Sequence, residues 1–220
     1  MKLLALCLAR RKRITEAQRN KRNWRTEIIG ECGRFSNQWP RNIVIHLHSE
    51  EGMPISDLLL VEFDAEAKTT RTMLERVPED NKDFVPHPKS MPLNKLAPHV
   101  AELAGFGVTV LTTPEFDFSK DSGRKRVPFE SASQLVKVFD EGAAQVRAAL
   151  KNTSDEAWTQ NWKLSFQGKP IFNGSRFLAY RQMFLNHLVH HRAQLGVYLR
   201  LNGKPLPSTY GPSADDTMGF

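Results

Sequence analysis

Apolar residues recur at the three- and four-residue spacing of a helix in four stretches, separated by segments dense in proline, glycine and charge. The first begins at Ser56, a residue of the type that caps helices, and carries Phe63, Ala67, Thr70, Leu74 and Val77 on one face until Pro78 ends it. The second follows the polar link EDNKDFVPHPK, is capped by Ser90, and places Leu93, Leu96, Val100, Leu103 and Phe106 in a stripe. The third starts near Ser131 and turns Leu135, Val138, Phe139, Gly142, Val146 and Leu150 inward. The fourth is capped within Asn173 to Ser175 and runs to about Leu201, where Asn202-Gly203 and two prolines stop it. At about 1.5 Å per residue this last helix is about 39 Å long, enough to cross a domain. Between the second and third, TTPEFDFSKDSGRKRVPFES reads as a long crossover loop. Ser154 to Trp158 predicts a short capped turn of helix, and WKLSFQGKPIF, alternating around a Gly-Lys turn, a small hairpin or extended loop. The expected fold is all-α: a four-helix bundle over residues 53–220, with the long crossover between helices two and three and a turn-rich tail from Lys204 lying against it.

Charge changes the picture only in the first quarter. Residues 1–52 hold 11 basic against 5 acidic side chains, leaving +6 of the formal +7, so the body is nearly neutral. An electrostatic footprint for nucleic acid is therefore expected only in this leader, which is read as a poorly ordered extension. Its opening MKLLALCLA is followed by Arg10-Arg11-Lys12-Arg13, the wrong flank for an export leader, and no run reaches the ~20 apolar residues of a membrane span. A cytoplasmic protein is the expectation. Cys7 and Cys32 both lie in the leader, so residues 53–220 contain no disulfide framework and no thiolate nucleophile or ligand. His46 and His48 alternate in IVIHLH and are read as surface or untranslated residues.

The histidines carry the candidate chemistry. His187 and His191 are one helical turn apart and point within about 40° of each other. Tyr180, Phe184, Leu195 and Tyr198 share their arc, whereas Arg181, Gln182, Arg192 and Arg200 lie outside its centre, so both imidazoles project from the face expected to be buried. An imidazole removed from water without partners costs roughly 1–3 kcal/mol. His99 sits inside the apolar stripe of the second helix, between Leu96 and Leu103, directly after Pro98, whose missing N–H is expected to bend the helix and aim the ring. Three separate hydrogen-bonding solutions satisfy these rings less simply than one divalent ion held by His99, His187 and His191, which also leaves coordination positions open. His87 in a proline-flanked loop gains no such support, and His190, about 60° from His187 in the sense opposite to His191, is read as lying beside the pair or at an interface, with exposed surface as the alternative. Gly123-Arg124-Lys125-Arg126 is read as a solvated charge run. Asp64, Glu75 and Asp117 are general-base candidates by residue type alone, and Tyr180 and Tyr198 are read as core residues that also flank the pair.

The strings LLLVEFDAEAKTTRTMLERVPED, HPKSMPLNKLAPHVAEL and NHLVHHRAQLGVYLRLNGKPLPSTYG resemble the DinB/YfiT-like superfamily of four-helix metalloproteins over roughly Met53 to Asp216. The last string is the specific one. The resemblance maps the metal ligands to the same three histidines, and it implies a homodimer binding nickel, zinc, or another divalent ion such as iron or manganese. It also implies a small-molecule substrate, with either transfer to or from a low-molecular-weight thiol co-substrate or hydrolysis. A non-enzymatic metal-binding bundle for stress response or dimerisation is the alternative. The chain departs from the simplest family pattern in residues 1–52 and at Pro98. Ser49 to Gly52 can be encoded by purine-rich codons of the kind found in a ribosome-binding site, and with the end of the basic composition there this makes Met53 a candidate translation start. Intact-mass measurement of the native protein is expected to show a chain beginning at Met53, and a mass counted from Met1 overturns that reading.

Overall fold

Helices form where the apolar spacing places them, and their ends show which local signals decide the boundaries. The computed structural model describes residues 52–120 and 126–218; the basic leader, with His46 and His48, lies outside the described residues. Helix α1 spans Ile55–Glu75, α2 Leu93–Thr112 and α3 Ala132–Lys151. A short α4 (Asp155–Thr159) follows, and α5 (Arg176–Ala179) opens the closing helix. That helix widens into a π-helical stretch at Tyr180–Leu185 and continues as α6, Asn186–Leu201. Ser131, Ser154 and Ser175 cap as expected, accepting from the backbone N–H groups of Gln134, Ala157 and Leu178.

Two expected caps do other things. Pro54 precedes α1, and Ser56, one residue inside it, donates to the Thr153 carbonyl (2.6 Å) and accepts from Trp158 Nε1 (2.9 Å). A serine in a helix's first turn is free to bond elsewhere, and this one ties α1 to α4. Helix α2 begins after Pro92 rather than Ser90, because a proline at that position costs no helical donor. It then runs unbroken through Pro98, so the missing N–H does not end the helix.

Cross-bundle contacts fix the topology. Asp64 pairs with Arg147 and Arg71 with Asp140, so α1 and α3 run antiparallel. Glu62 meets Arg181, Glu66 meets Arg192, and Met73 lies by Gly196, so α1 and the closing helix run parallel. Tyr198 donates to the Met91 carbonyl while Gly107 abuts Phe184, so α2 opposes the closing helix. Helices α2 and α3, which pack together, are therefore parallel, and the crossover must return along the full length of α2, about 30 Å for 20 residues. The long crossover is a geometric necessity of this arrangement.

The crossover is not wholly a loop. Strand β1 (Glu115–Asp117) pairs in parallel with β2 (Asn161–Phe166), which forms an antiparallel hairpin with β3 (Lys169–Ser175). The hairpin turns at Gln167-Gly168, both with positive φ (52° and 75°), the conformation of a tight two-residue turn that suits the twist of the strands. Phe116 and Phe118 pack on Phe106 of α2 with ring centroids 5.8 Å and 6.0 Å away, which gives this small sheet its apolar anchor.

Arg192, placed outside the buried arc by its spacing, is only 2% exposed. It lies beside Leu188, Leu195 and Leu199 in angle, and these are the residues that α6 buries most completely. Its guanidinium meets Glu66 (2.6 Å) and donates to the Tyr210 hydroxyl (2.8 Å), which itself donates to the Glu66 carboxylate (2.9 Å). The C-terminal tail is held against the bundle by this closed set of bonds and by Arg76 donating to the Pro205 carbonyl. Removing one member of a buried ion pair leaves the other uncompensated, so Glu66→Ala is expected to cost about 3–5 kcal/mol in chemical denaturation. Asp64→Ala, which breaks an exposed pair with Arg147, is expected to cost much less.

Candidate metal centre and its cleft

His99 comes from α2, one and a half turns from its N-terminus, and His187 and His191 come from the start of α6. Their ligand-type nitrogens all lie within 4.8 Å of one another. The His99 ring centroid is 4.5 Å from that of His191 and 5.3 Å from that of His187. The three are half-buried, and the pair lies at the edge of the closing helix's buried face rather than at its centre.

Hydrogen bonds from within the helix orient two of the rings. His187 Nδ1 faces the Met183 carbonyl (3.3 Å) and His191 Nδ1 faces Gln194 Oε1 (2.8 Å). Both oxygens accept, so in the neutral tautomer that donates to them each Nδ1 carries the proton and each Nε2 is left as a lone pair. The two Nε2 atoms then face each other at 2.8 Å. Two nitrogens bonded to one ion at about 2.0–2.1 Å lie about 3 Å apart at ordinary bond angles, close to the observed separation. Burial, reinforced by the charges of His191, His187 and Arg126, pushes the pKa of His99 down to about 4. Burial likewise lowers the pKa of His187 and His191. All three rings are thus neutral near pH 7, the form that donates to a metal, and the group could hold one ion.

The π-helical stretch ends immediately before Asn186, so the wide turn directly precedes the histidine pair. Constant 100° steps cannot reveal such a turn, because no residue type marks it. Around the cluster opens a cleft of about 530 Å³. His99 and His187 line it on one side, and Leu103, Phe106, Leu164, Phe166, Ile171 and Met183 supply apolar wall. Its carboxylate is Glu102, one turn beyond His99, with the side chain 7% exposed. Glu102 Oε1 accepts from the Val127 N–H (2.7 Å) and Oε2 accepts from Arg126 (3.1 Å). Sequence reading missed Glu102, although its place three residues after His99 in an apolar stripe was a usable signal.

The other candidates fall elsewhere. Asp64 and Glu75 pair with Arg147 and Arg71 on the surface, and Asp117 is held by Ser119 and the Gly168 N–H at the hairpin. These bonds to the charged form keep the Asp117 carboxyl well below the usual range, so it is a fixed acceptor in the sheet. Tyr198 is bonded to Met91, and Tyr180 is buried against Trp158 and Phe184, so both belong to the core. His87 is in an exposed loop, and His190 is exposed with its ring 4.8 Å from that of His191. Of the loop cluster, Arg126 reaches the cleft; Gly123, Arg124 and Lys125 lie outside the described residues. Among the described residues no helix is long and apolar enough to cross a membrane.

A helical bundle with a three-histidine group opening on a cleft defines a class of possible metal-binding proteins. The DinB family model matches residues 50–218, and the chain belongs to the DinB family. An uncharacterised Bacillus subtilis protein, YrdA, is 22% identical over 164 residues, covering 74% of this chain and 93% of that protein. The DinB-like protein YjoA of Bacillus subtilis shares the fold, with a TM-score of 0.53 at 17% identity, over 69% of this chain and 96% of that one. A DinB-like protein from Bacillus cereus ATCC 10987 superposes with a TM-score of 0.51 at 19% identity, over 71% and 98% of the two chains. A DinB family protein from Exiguobacterium sibiricum 255-15 gives 0.51 at 21% identity, over 69% and 95%.

Proposed function

We propose that this protein is a metal-dependent enzyme that holds one divalent ion on His99, His187 and His191 and acts on a small molecule in the adjoining cleft, as a transferase or a hydrolase. The observation that carries the reading is the 2.8 Å approach of two Nε2 lone pairs whose opposite ring nitrogens are committed to carbonyl oxygens. Two such lone pairs need a cation or a shared proton between them, and an ion satisfies both rings together with His99. The donors are neutral imidazoles without thiolate, a set that suits nickel, zinc or iron. When bound, an ion of this kind polarises a carbonyl or lowers the pKa of a water or thiol.

The chain's own residues do the rest. Met183 and Gln194 hold two rings with their Nε2 atoms inward, and the apolar walls of the cleft keep water away from a bound molecule. An attacking group from outside the chain, water in hydrolysis or a low-molecular-weight thiol in transfer, fits residues 53–220, which contain no cysteine. Because the cluster borders an open cleft, the reading favours a reactive site over a closed structural one.

Protein purified without a histidine tag is expected to carry one divalent ion per chain, and His187→Ala and His191→Ala to lose it. Gln194→Ala, which frees the His191 ring, is expected to weaken metal affinity by about tenfold. Stripping the ion with a chelator is expected to abolish activity in thiol-conjugation or ester- and amide-hydrolysis screens while leaving the helical circular-dichroism signal intact. Unfolding on metal removal, with no activity in the loaded protein, identifies the ion as structural instead.

A further inference from the structure

The cleft combines two features that a solvated surface does not need. Phe118, Phe166 and Ile171 are large apolar side chains left 43%, 49% and 57% exposed, and all three line this one cavity. Exposed apolar side chains gathered around a concavity mark a binding surface, whereas scattered ones carry no such meaning. They come from the end of β1 and from the β2–β3 hairpin, so the small sheet forms one wall and α2, with Leu103 and Phe106, the other. The second feature is a cation fixed at the same cavity. Glu102 is buried and spends one carboxylate oxygen on the Val127 N–H and the other on Arg126, whose side chain is 74% exposed. The buried carboxylate thus anchors the guanidinium through one nitrogen, and the rest of the planar fork remains accessible.

We propose that the cleft binds a small organic carboxylate with an aromatic or branched aliphatic body, its carboxylate on Arg126 and its body between the hairpin and α2. The proposal rests on the reading that the histidine cluster is the reaction centre, since His99 and His187 line the same cavity as Arg126 and the apolar wall. The guanidinium is the side chain whose donor geometry matches a carboxylate bidentately, and an arginine already bonded to Glu102 loses less freedom when the second carboxylate arrives. A cavity of about 530 Å³ falls in the range of small-molecule pockets and encloses one such molecule. A ligand without the apolar body leaves the Phe118, Phe166 and Ile171 wall wet, and one without the negative charge leaves Arg126 unpaired on its open side.

The probes are 4-phenylbutyrate, its uncharged amide 4-phenylbutanamide, and butyrate, titrated calorimetrically into the full chain in metal-loaded and metal-free forms. 4-Phenylbutyrate is expected to bind at least tenfold more tightly than either of the others, in both forms. Arg126→Gln is expected to remove the preference for carboxylate over amide, and Ile171→Asp to weaken 4-phenylbutyrate at least tenfold. Equal binding of acid and amide, undetectable binding of all three, or a carboxylate preference that survives Arg126→Gln each overturns the proposal. A preference that vanishes with the metal also overturns it, by placing the carboxylate on the ion. Metal content measured on the same samples separates this outcome from failure of the metal site itself: a chain that binds no ion sinks the functional reading, whereas the Arg126 result in the metal-free form stands independently.

Discussion

The close approach of α2 to its two neighbours is the constraint on which the site depends. A Cβ at Gly142 of α3 would come within 2.9 Å of Ala104 Cβ and 3.0 Å of the Gly105 nitrogen, and one at Gly107 within 2.7 Å of the Phe184 ring. Glycine permits both contacts, and together they hold α2 at a fixed depth against α3 and the closing helix. His99 is two turns from Gly107 on the same helix, so its reach across to His187 and His191 is set by these backbone-level contacts. A histidine on a loosely packed helix would instead choose its rotamer from solvent.

From that packing the rest of the centre follows. The Met183 carbonyl sits one turn before His187 and Gln194 three residues after His191, so the orientation of each ring is enforced from within its own helix. What comes from elsewhere in the chain is the wall of the cleft, delivered by the hairpin that precedes the closing helix and by the strand inside the crossover. The division of labour is between helices that position the donors and a small sheet that shapes the space beside them.

Much of this was legible in residue spacing, and the exceptions have physical causes. Periodicity located the helices, and an i, i+4 pair together with His99 in an apolar stripe gave the cluster, because those relations are local. Arg192 was misplaced because an arc drawn around two histidines takes its centre from them, whereas α6 is buried most deeply around Leu188, Leu195 and Leu199. The pairing of β1 with β2 depends on residues nearly fifty positions apart and leaves no periodic trace in so short a strand. Glu102 and Arg126 meet across 24 positions, and no single-stretch pattern contains both.

The separation of the donors along the chain has a thermodynamic consequence. His99 stands on the second helix and its companions on the last, so an unfolded chain keeps at most the local pair and loses the three-point grip. An ion bound this way discriminates sharply between the assembled and the disassembled chain, and each tenfold rise in its free concentration above the dissociation constant adds about 1.4 kcal/mol to the assembled form. The availability of the ion in the surroundings would then add to the margin by which the bundle stays assembled, as well as decide whether its centre is filled.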